Sequence, residues 1–315
     1  MLADGSASPA TLFGLDATET GAAAWAGLAL LHVSQRADDE ALLATAVEIA
    51  SWIVARTSGT GAVGGFTIGT DADGAARTET STAQNIDCAG FFGALHAVTG
   101  DSRWAAAREV ALNHVRRAYA PDTQSFRAGS TDGSGLGLGV LSVGASARGL
   151  LVEPELFRPA VESALLMYRR NTQALTEDRP TALAAAQLRS AFAGPDLSAT
   201  VSANGVPVYS PGAWTGETAQ LCLAVGRGTP PGSSARPDRF LRVLESAQAD
   251  GARTQHVAGR RVHAEQGLVA GWPGQDDVAD LQLFQFAHVG ATAWFLLAST
   301  GTDPYDISTA ASSRS

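Results

Sequence analysis

The chain has 315 residues, of which 45% are hydrophobic, and its 31 acidic residues outnumber its 22 basic ones to give a formal net charge of −9. This acidic balance argues against a nucleic-acid groove, which needs basic residues clustered on one face. Every basic residue is arginine, and the lack of lysine excludes Schiff-base chemistry, pyridoxal phosphate attachment and a Walker-type phosphate loop.

The hydrophobic content is sufficient for a large core. No run of eighteen apolar residues occurs, and the first residues lack the basic and apolar regions of a signal peptide, so we expect a cytoplasmic protein. Cys88 and Cys222 each lie inside an apolar helical pattern. We therefore interpret them as reduced core thiols rather than as a disulfide.

The first part of the chain predicts helical hairpins. Residues 1–19 are small and weakly periodic, and we expect an N-terminal arm there. Apolar spacing predicts a hairpin of two helices at 21–35 and 40–56. After a glycine-rich loop, a further helix begins with Ser81 or Thr82 as its cap and ends at Gly100, and Asp101 caps its partner.

The second part continues this pattern with one interruption. Around Asn204-Gly205 the residues alternate between apolar and polar, which predicts a small β-hairpin at 199–209. The serine-rich segment 304–315 is expected to be a disordered tail. The remaining apolar patterns predict helices at 140–151, 153–170, 181–193, 214–225, 237–249 and 280–299.

A repeat connects these hairpins. Thr82-Ala83-Gln84 recurs as Thr218-Ala219-Gln220 at the start of a later helix. Each repeat interval holds one hairpin and one loop, which is typical of an αα toroid whose inner helices surround a central cavity. We therefore predict one all-α domain over residues 20–303, an (α/α) toroid of five to six hairpins. The helix starts that define the intervals lie near Ala22, Gln84, Gly144, Glu217 and His288.

Several motifs resemble a known family. They are Ser-Thr-Ala-Gln-Asn-Ile-Asp at 81–87, Trp-Thr-Gly-Glu-Thr-Ala-Gln at 214–220 and His-Val-Gly-Ala-Thr-Ala-Trp-Phe at 288–295, followed by Asp-Pro-Tyr at 303–305. Together they resemble the six-hairpin glycosidase-like (α/α)-barrel proteins of bacteria, over roughly residues 21–305. In that family the first motif reads Ser-Thr-Glu-His-Asn-Ile-Asp. Here Ala83 and Gln84 replace its glutamate and histidine, and Gly144-Ala-Ser-Ala stands where an aspartate is usual. These replacements remove acid/base groups that an ordinary glycosidase would use.

Two carboxylates remain as candidates for catalysis. Glycoside hydrolysis needs two carboxyl groups that flank one bond, and Asp87 and Glu217 both lie near starts of inner helices. The alternative is that each carboxylate only stabilises a helix N-terminus. Gln84, Asn85 and Gln220 have two roles open to them, since they can bind sugar hydroxyls or satisfy the backbone of a loop.

Aromatic residues and histidines supply further candidates for ligand contacts. Trp214 and Trp272, like Trp25 and Trp294, lie near predicted helix ends, where they either stack on a ligand or anchor the fold. We expect His263 at the rim of the cavity. His288 lies on a helical pattern and is either a packing residue or a ligand contact.

Asp276, Asp277 and Asp280 resemble the aspartate-rich pattern by which isoprenoid synthases bind Mg²⁺ and diphosphate. This pattern supports a second hypothesis, an isoprenoid or natural-product cyclase-like enzyme. A third hypothesis is a relative that binds a ligand without catalysis. Apart from Mg²⁺ under the second hypothesis we expect no cofactor, and we expect a small-molecule ligand, with neither nucleic acid nor membrane as a partner.

Overall fold

The structure is a computed structural model that describes residues 18–59, 61–137, 141, 143–162, 213–228, 237–250, 255–257, 260–263, 266–269, 271–272 and 287–307. Its contacts divide the chain into two compact units. Of the described residues, those at 18–137 and 303–307 form the N-terminal unit, and those at 141–302 form the C-terminal unit.

The N-terminal unit contains two helical hairpins. They are formed by α1 (Thr20–Ala37) with α2 (Glu40–Thr57) and by α3 (Thr82–Thr99) with α4 (Ser102–Ala118), and α1 also packs against α3. Both hairpins were predicted from apolar spacing, with ends that agree to within a few residues. Three antiparallel strand pairs connect the helices: β1 (Thr18–Glu19) with β2 (Gly69–Thr70), β3 (Thr80–Ser81) with β6 (Gly129–Ser130), and β4 (Tyr119–Ala120) with β5 (Ser125–Phe126).

Local capping explains where α3 and α4 begin and end. The Ser81 hydroxyl accepts a hydrogen bond from the backbone N–H of Gln84, and the Asp101 carboxylate accepts one from Arg103. Gly100 closes α3 in the left-handed conformation at φ 68°, and its N–H donates to the carbonyl oxygen of His96. The predicted caps and the predicted glycine stop are therefore confirmed.

Aromatic side chains fill the core of this unit. Phe92 lies between Phe66 and Trp104, with ring centroids 5.4 Å and 6.1 Å away. Gly27 of α1 lies directly against the ring of Phe91, so a β-carbon at this glycine would collide with the ring. The glycine allows α1 and α3 to approach closely.

The C-terminal unit is built around one central helix. Helix α6 (Thr215–Gly228) packs against α5 (Val143–Val152), α7 (Pro237–Asp250) and α8 (Val289–Thr300), and residues 154–162 are also helical. Two further antiparallel pairs belong to this unit, β7 (Ala213–Trp214) with β10 (Gly271–Trp272) and β8 (Gln255–Val257) with β9 (Arg260–Val262).

The predicted helix at 280–299 begins too early. Ala287 forms an isolated β-bridge with Val269, and His288 is the N-cap of α8, because its Nδ1 accepts a hydrogen bond from the N–H of Ala291. Apolar periodicity alone did not reveal that bridge. The predicted helix at 181–193 and the predicted β-hairpin at 199–209 lie outside the described residues.

His114 of α4 is fully buried against the loop that precedes α3. Its Nδ1 lies 3.1 Å from the carbonyl oxygen of Gly64, so this nitrogen carries the proton and donates. Among the described residues Nε2 has no hydrogen-bond partner. Burial lowers the pKa of His114 below its usual value of 6.5, because a proton on Nε2 would place a charge in the core.

The free energy of unfolding should therefore decrease as the pH falls below about 6.5. In that range the unfolded chain binds a proton at this imidazole that the folded protein resists. We expect the His114→Asn variant, whose amide can still donate to Gly64, to lose this part of the pH dependence. Urea unfolding at pH values above and below 6.5 measures this dependence. If the free energy of unfolding changes with pH by the same amount in both proteins, the assignment to His114 is contradicted.

Candidate functional site

We use the term inner helices for α1, α3, α5, α6 and α8. In the N-terminal unit α1 packs against α3, and in the C-terminal unit α6 packs against both α5 and α8. Helices α1, α3 and α6 start in the same way, with a short strand followed by a fully buried threonine. The hydroxyl of that threonine donates to a carbonyl oxygen in the loop paired with the strand. The three pairs are Thr20 with Thr67, Thr82 with Arg127, and Thr215 with Val269.

These anchors correct the alignment of the repeat. In the structure Thr215 is the equivalent of Thr82, whereas the repeated sequence predicts Thr218 as its equivalent. The error is one helical turn, which places similar residues on the same face and is hard to detect by sequence. In the corrected register Gln84 corresponds to Glu217, and Asp87 corresponds to Gln220.

Asp87 lies in the second turn of α3 and is only 4% exposed. The hydroxyl of Tyr305 donates a hydrogen bond of 2.9 Å to its Oδ1 atom. Tyr305 is 218 residues away along the chain, so this pair exists only in the folded unit. Asp87 therefore lies one turn beyond the free N–H groups that a capping carboxylate would bind, and its catalytic role stays a prediction.

The segment that supplies Tyr305 is well anchored. The ring of Tyr305 lies 5.5 Å from that of Trp25 and packs directly on Gly90. The preceding residue, Pro304, places its carbonyl oxygen 2.7 Å from Nε2 of His32. The expectation of a disordered tail from residue 304 is therefore wrong for residues 304–307, because the aromatic ring fills a space that the glycine leaves open.

The polar neighbours of Asp87 have identifiable partners. Asn85 is fully buried, and its side chain binds both the N–H and the carbonyl oxygen of Phe66, each at 2.9 Å. Of the two roles predicted for Asn85, the structure supports the loop-holding one. The side-chain oxygen of Gln84 accepts a hydrogen bond of 3.2 Å from the N–H of Gly21 on α1, and Gln84 remains half-buried.

The C-terminal unit contains a second polar cluster. Nη1 of Arg148 on α5 donates a hydrogen bond of 3.0 Å to the side-chain oxygen of Gln220 on α6, which is 7% exposed. Glu217 lies half-buried on α6, and its Cβ and Cγ atoms pack against Gly144. Sequence reasoning identified Glu217 and Gln220 but missed Arg148. A signal for it existed, since Arg148 is the one charged residue in the sequence of α5.

The two predicted catalytic carboxylates belong to different units, Asp87 to the N-terminal unit and Glu217 to the C-terminal unit. Their predicted action as a pair therefore stays a prediction. Trp214 and Trp272 belong to the paired strands β7 and β10, and His263 follows β9 and is exposed. His288 caps α8 through its Nδ1 atom, which is a structural role.

Both cysteines are free and buried, as predicted. Burial raises the pKa of the Cys88 thiol well above its usual value and that of Cys222 to about 11. Both residues are therefore neutral thiols near pH 7, and neither fits the role of an activated nucleophile.

The predicted metal ligands Asp276, Asp277 and Asp280 lie outside the described residues. Within the described part of the chain, no group of three or more His, Cys, Asp or Glu residues is arranged to hold a metal ion. None of the described helices combines the length and apolarity needed to cross a lipid bilayer.

If the aspartate pattern binds Mg²⁺, millimolar Mg²⁺ should raise the melting temperature of the protein, because a ligand that binds only the folded state stabilises it. The Asp276→Asn, Asp280→Asn double variant should lose this increase, since the amides lack the ligand charge. Thermal unfolding with and without Mg²⁺ tests it. A melting curve that does not change with Mg²⁺ would remove the only motif that supports the cyclase-like hypothesis.

No protein-family model matches the chain, and no curated protein matches it. Solved structures do match. A cellobiose 2-epimerase from Bacillus thermoamylovorans B4167 aligns with a TM-score of 0.53 and 9% identity, over 78% of this chain and 66% of that one. A D-mannose isomerase aligns with a TM-score of 0.56 and 8% identity, over 91% of this chain and 72% of that one.

A third match is the GH76A α-1,6-mannanase from Salegentibacter sp. HEL1_6, with a TM-score of 0.52 and 11% identity, over 91% of this chain and 76% of that one. The chain spans just under two thirds of the length of the cellobiose 2-epimerase. At these identities the likeness concerns the fold. It confirms the predicted fold class, an all-α fold of the (α/α)-toroid type.

Proposed function

We propose that this chain acts on a carbohydrate near the N-terminal ends of its inner helices, with Asp87 as the acid/base group. The observation that carries the proposal is the hydrogen-bonded pair of Asp87 and Tyr305, a nearly buried carboxylate beside a phenol. The matched structures support the choice of ligand, because they are those of a cellobiose 2-epimerase, a D-mannose isomerase and an α-1,6-mannanase.

A glycosidase-like reaction is the first candidate. It requires a second carboxyl group to act as base or nucleophile, and Glu217 is the residue we propose for this role. Glu217 lies in the first turn of an inner helix and is half-buried, so it retains access to water and to a ligand. Gln84 and Gln220 are the proposed partners of the sugar hydroxyls.

Epimerisation or isomerisation of a reducing sugar is the second candidate, and the Asp87–Tyr305 pair favours it. Such a reaction removes a proton from the carbon next to the carbonyl group and returns one to the product. A carboxylate can accept the proton, and a neighbouring phenol can donate one. Both groups lie in one unit, so this reaction does not require Glu217.

Proton NMR in D₂O distinguishes the candidates. The full chain is incubated with cellobiose, D-mannose or α-1,6-mannotriose. Hydrolysis produces new reducing-end signals. Epimerisation replaces the hydrogen at carbon 2 by deuterium, whereas isomerisation to a ketose removes the carbon 2 hydrogen and places deuterium on carbon 1. Saturation transfer to a sugar that remains unchanged would support a ligand-binding protein without catalysis. If none of the three sugars is converted or bound, the proposal fails.

A further inference from the structure

The register of the inner helices can be read from their glycines. The second residue of every described inner helix is glycine or alanine, and three of these glycines contact the third residue of the next inner helix in their unit. Because the contacts repeat at the same helix positions, neighbouring inner helices are aligned turn by turn. The contacts are Gly21 with Gln84, Gly144 with Glu217, and Gly216 with Ala291.

In this register the sixth residue of each inner helix has a distinct chemistry. The residue just before it is small or aliphatic in all five described inner helices: Ala24, Ile86, Ala147, Ala219 and Ala293. The sixth residue itself is always polar, charged or aromatic. We name these positions the sixth-residue set: Trp25, Asp87, Arg148, Gln220 and Trp294.

Contacts join two members of the set in each unit. In the N-terminal unit Tyr305 bridges two of its members, since its hydroxyl binds Asp87 and its ring lies 5.5 Å from that of Trp25. In the C-terminal unit Arg148 donates a hydrogen bond to Gln220 across the α5–α6 contact. Trp25, Arg148 and Trp294 are half-buried, so part of each side chain remains accessible.

This combination fits a sugar ligand. Tryptophan provides a flat apolar face for the C–H groups of a pyranose ring. Arginine and glutamine donate hydrogen bonds to hydroxyl oxygens, and the positive charge of the arginine strengthens them. A nucleotide or a polyphosphate fits less well, because lysine is lacking and the protein is acidic.

We infer that the members of the sixth-residue set contact a sugar ligand within their own unit and that Arg148, held by Gln220, is a sugar-binding residue of the C-terminal unit. The inference rests on the proposed function for the class of ligand, and it assigns binding roles to Arg148, Trp25 and Trp294. Arg148 acts as a positioning and specificity residue, and proton transfer remains with Asp87.

Cysteine labelling tests whether the set is accessible and faces the ligand. The native Cys88 and Cys222 are buried and should react slowly, so they give a low background. Trp25→Cys and Trp294→Cys are each treated with methyl methanethiosulfonate and followed by mass spectrometry. We expect both to react about tenfold or more faster than the fully buried control Ala24→Cys. Cellobiose, D-mannose or α-1,6-mannotriose should slow this reaction.

A second variant removes the guanidinium group without removing a tryptophan. Arg148→Met should weaken the binding of the protecting sugar by about tenfold, since a charge-assisted hydrogen bond is lost. Arg56→Met, at an exposed position of α2, should leave binding unchanged.

The outcomes separate the two proposals. Labelling as slow as that of Ala24→Cys, or labelling that no sugar slows, overturns the inference, and so does an unchanged affinity in Arg148→Met. If a sugar protects the cysteines but wild-type protein does not convert it, the proposed chemistry fails while the binding assignment stands.

Discussion

The Asp87→Asn variant should convert the sugar that the NMR screen identifies at a turnover rate about 10² to 10⁴ times lower than that of the wild-type protein. Asparagine has the shape of aspartate and can still bind the Tyr305 hydroxyl, but it cannot accept or release the proton. The fold should persist, because the amide oxygen of asparagine can accept the 2.9 Å hydrogen bond from the Tyr305 hydroxyl in place of the carboxylate. Initial rates and melting temperatures of the same preparation measure both properties.

Two variants make this result interpretable. Asp122→Asn changes an exposed aspartate between β4 and β5 and should retain the wild-type rate. Tyr305→Phe keeps the ring against Trp25 and Gly90 but removes the hydroxyl, so it should reduce the rate less than Asp87→Asn does. If Asp87→Asn retains full turnover and only lowers the melting temperature, Asp87 is a structural residue and the acid/base assignment is wrong.

The largest effect on stability should come from Gly69→Ala. Gly69 pairs with Glu19 between β1 and β2 and has a φ of 148°, a conformation that residues with a β-carbon rarely adopt. A β-carbon there would also collide with the carbonyl oxygen of Thr18, which is backbone and cannot rotate away. We expect the free energy of unfolding to fall by about 2 kcal/mol or more.

The matched control is Gly135→Ala, at an exposed glycine with no atom near the added methyl group. It should change the free energy of unfolding by about 0.5 kcal/mol or less. Urea unfolding of the three proteins provides the comparison. A loss in Gly69→Ala no larger than that in the control would show that the strand pair before α1 is easily displaced.

The two results are linked through the architecture. The pairing of Gly69 positions the loop whose Thr67 carbonyl oxygen accepts the hydroxyl of Thr20, and the same loop contains Phe66, which Asn85 holds. Damage at Gly69 should therefore reach the start of α1 and the first turn of α3. Asp87→Asn should therefore lower the turnover rate while the fold stays intact, whereas Gly69→Ala should lower the free energy of unfolding.

The sequence by itself determined the helical hairpins of this protein. Apolar spacing, the caps at Ser81 and Asp101 and the stop at Gly100 are local signals, because each acts within one or two turns of the chain. The repeat of helix starts was sufficient to predict the (α/α) fold class. These properties depend on neighbours in sequence, which is why they could be read without coordinates.

Tertiary structure decided how the candidate site is assembled. The Tyr305 hydroxyl reaches Asp87 across 218 residues, and Arg148 meets Gln220 across 72. No local pattern encodes such pairs, since they depend on how closely the ring of Tyr305 approaches Gly90 and how closely α5 and α6 pack at Gly144. The register of the repeat also differs by one turn from the one that the sequence predicts. Residues one turn apart share a helix face, so only the long-range hydrogen bonds of the buried Thr82 and Thr215 hydroxyls distinguish the two registers.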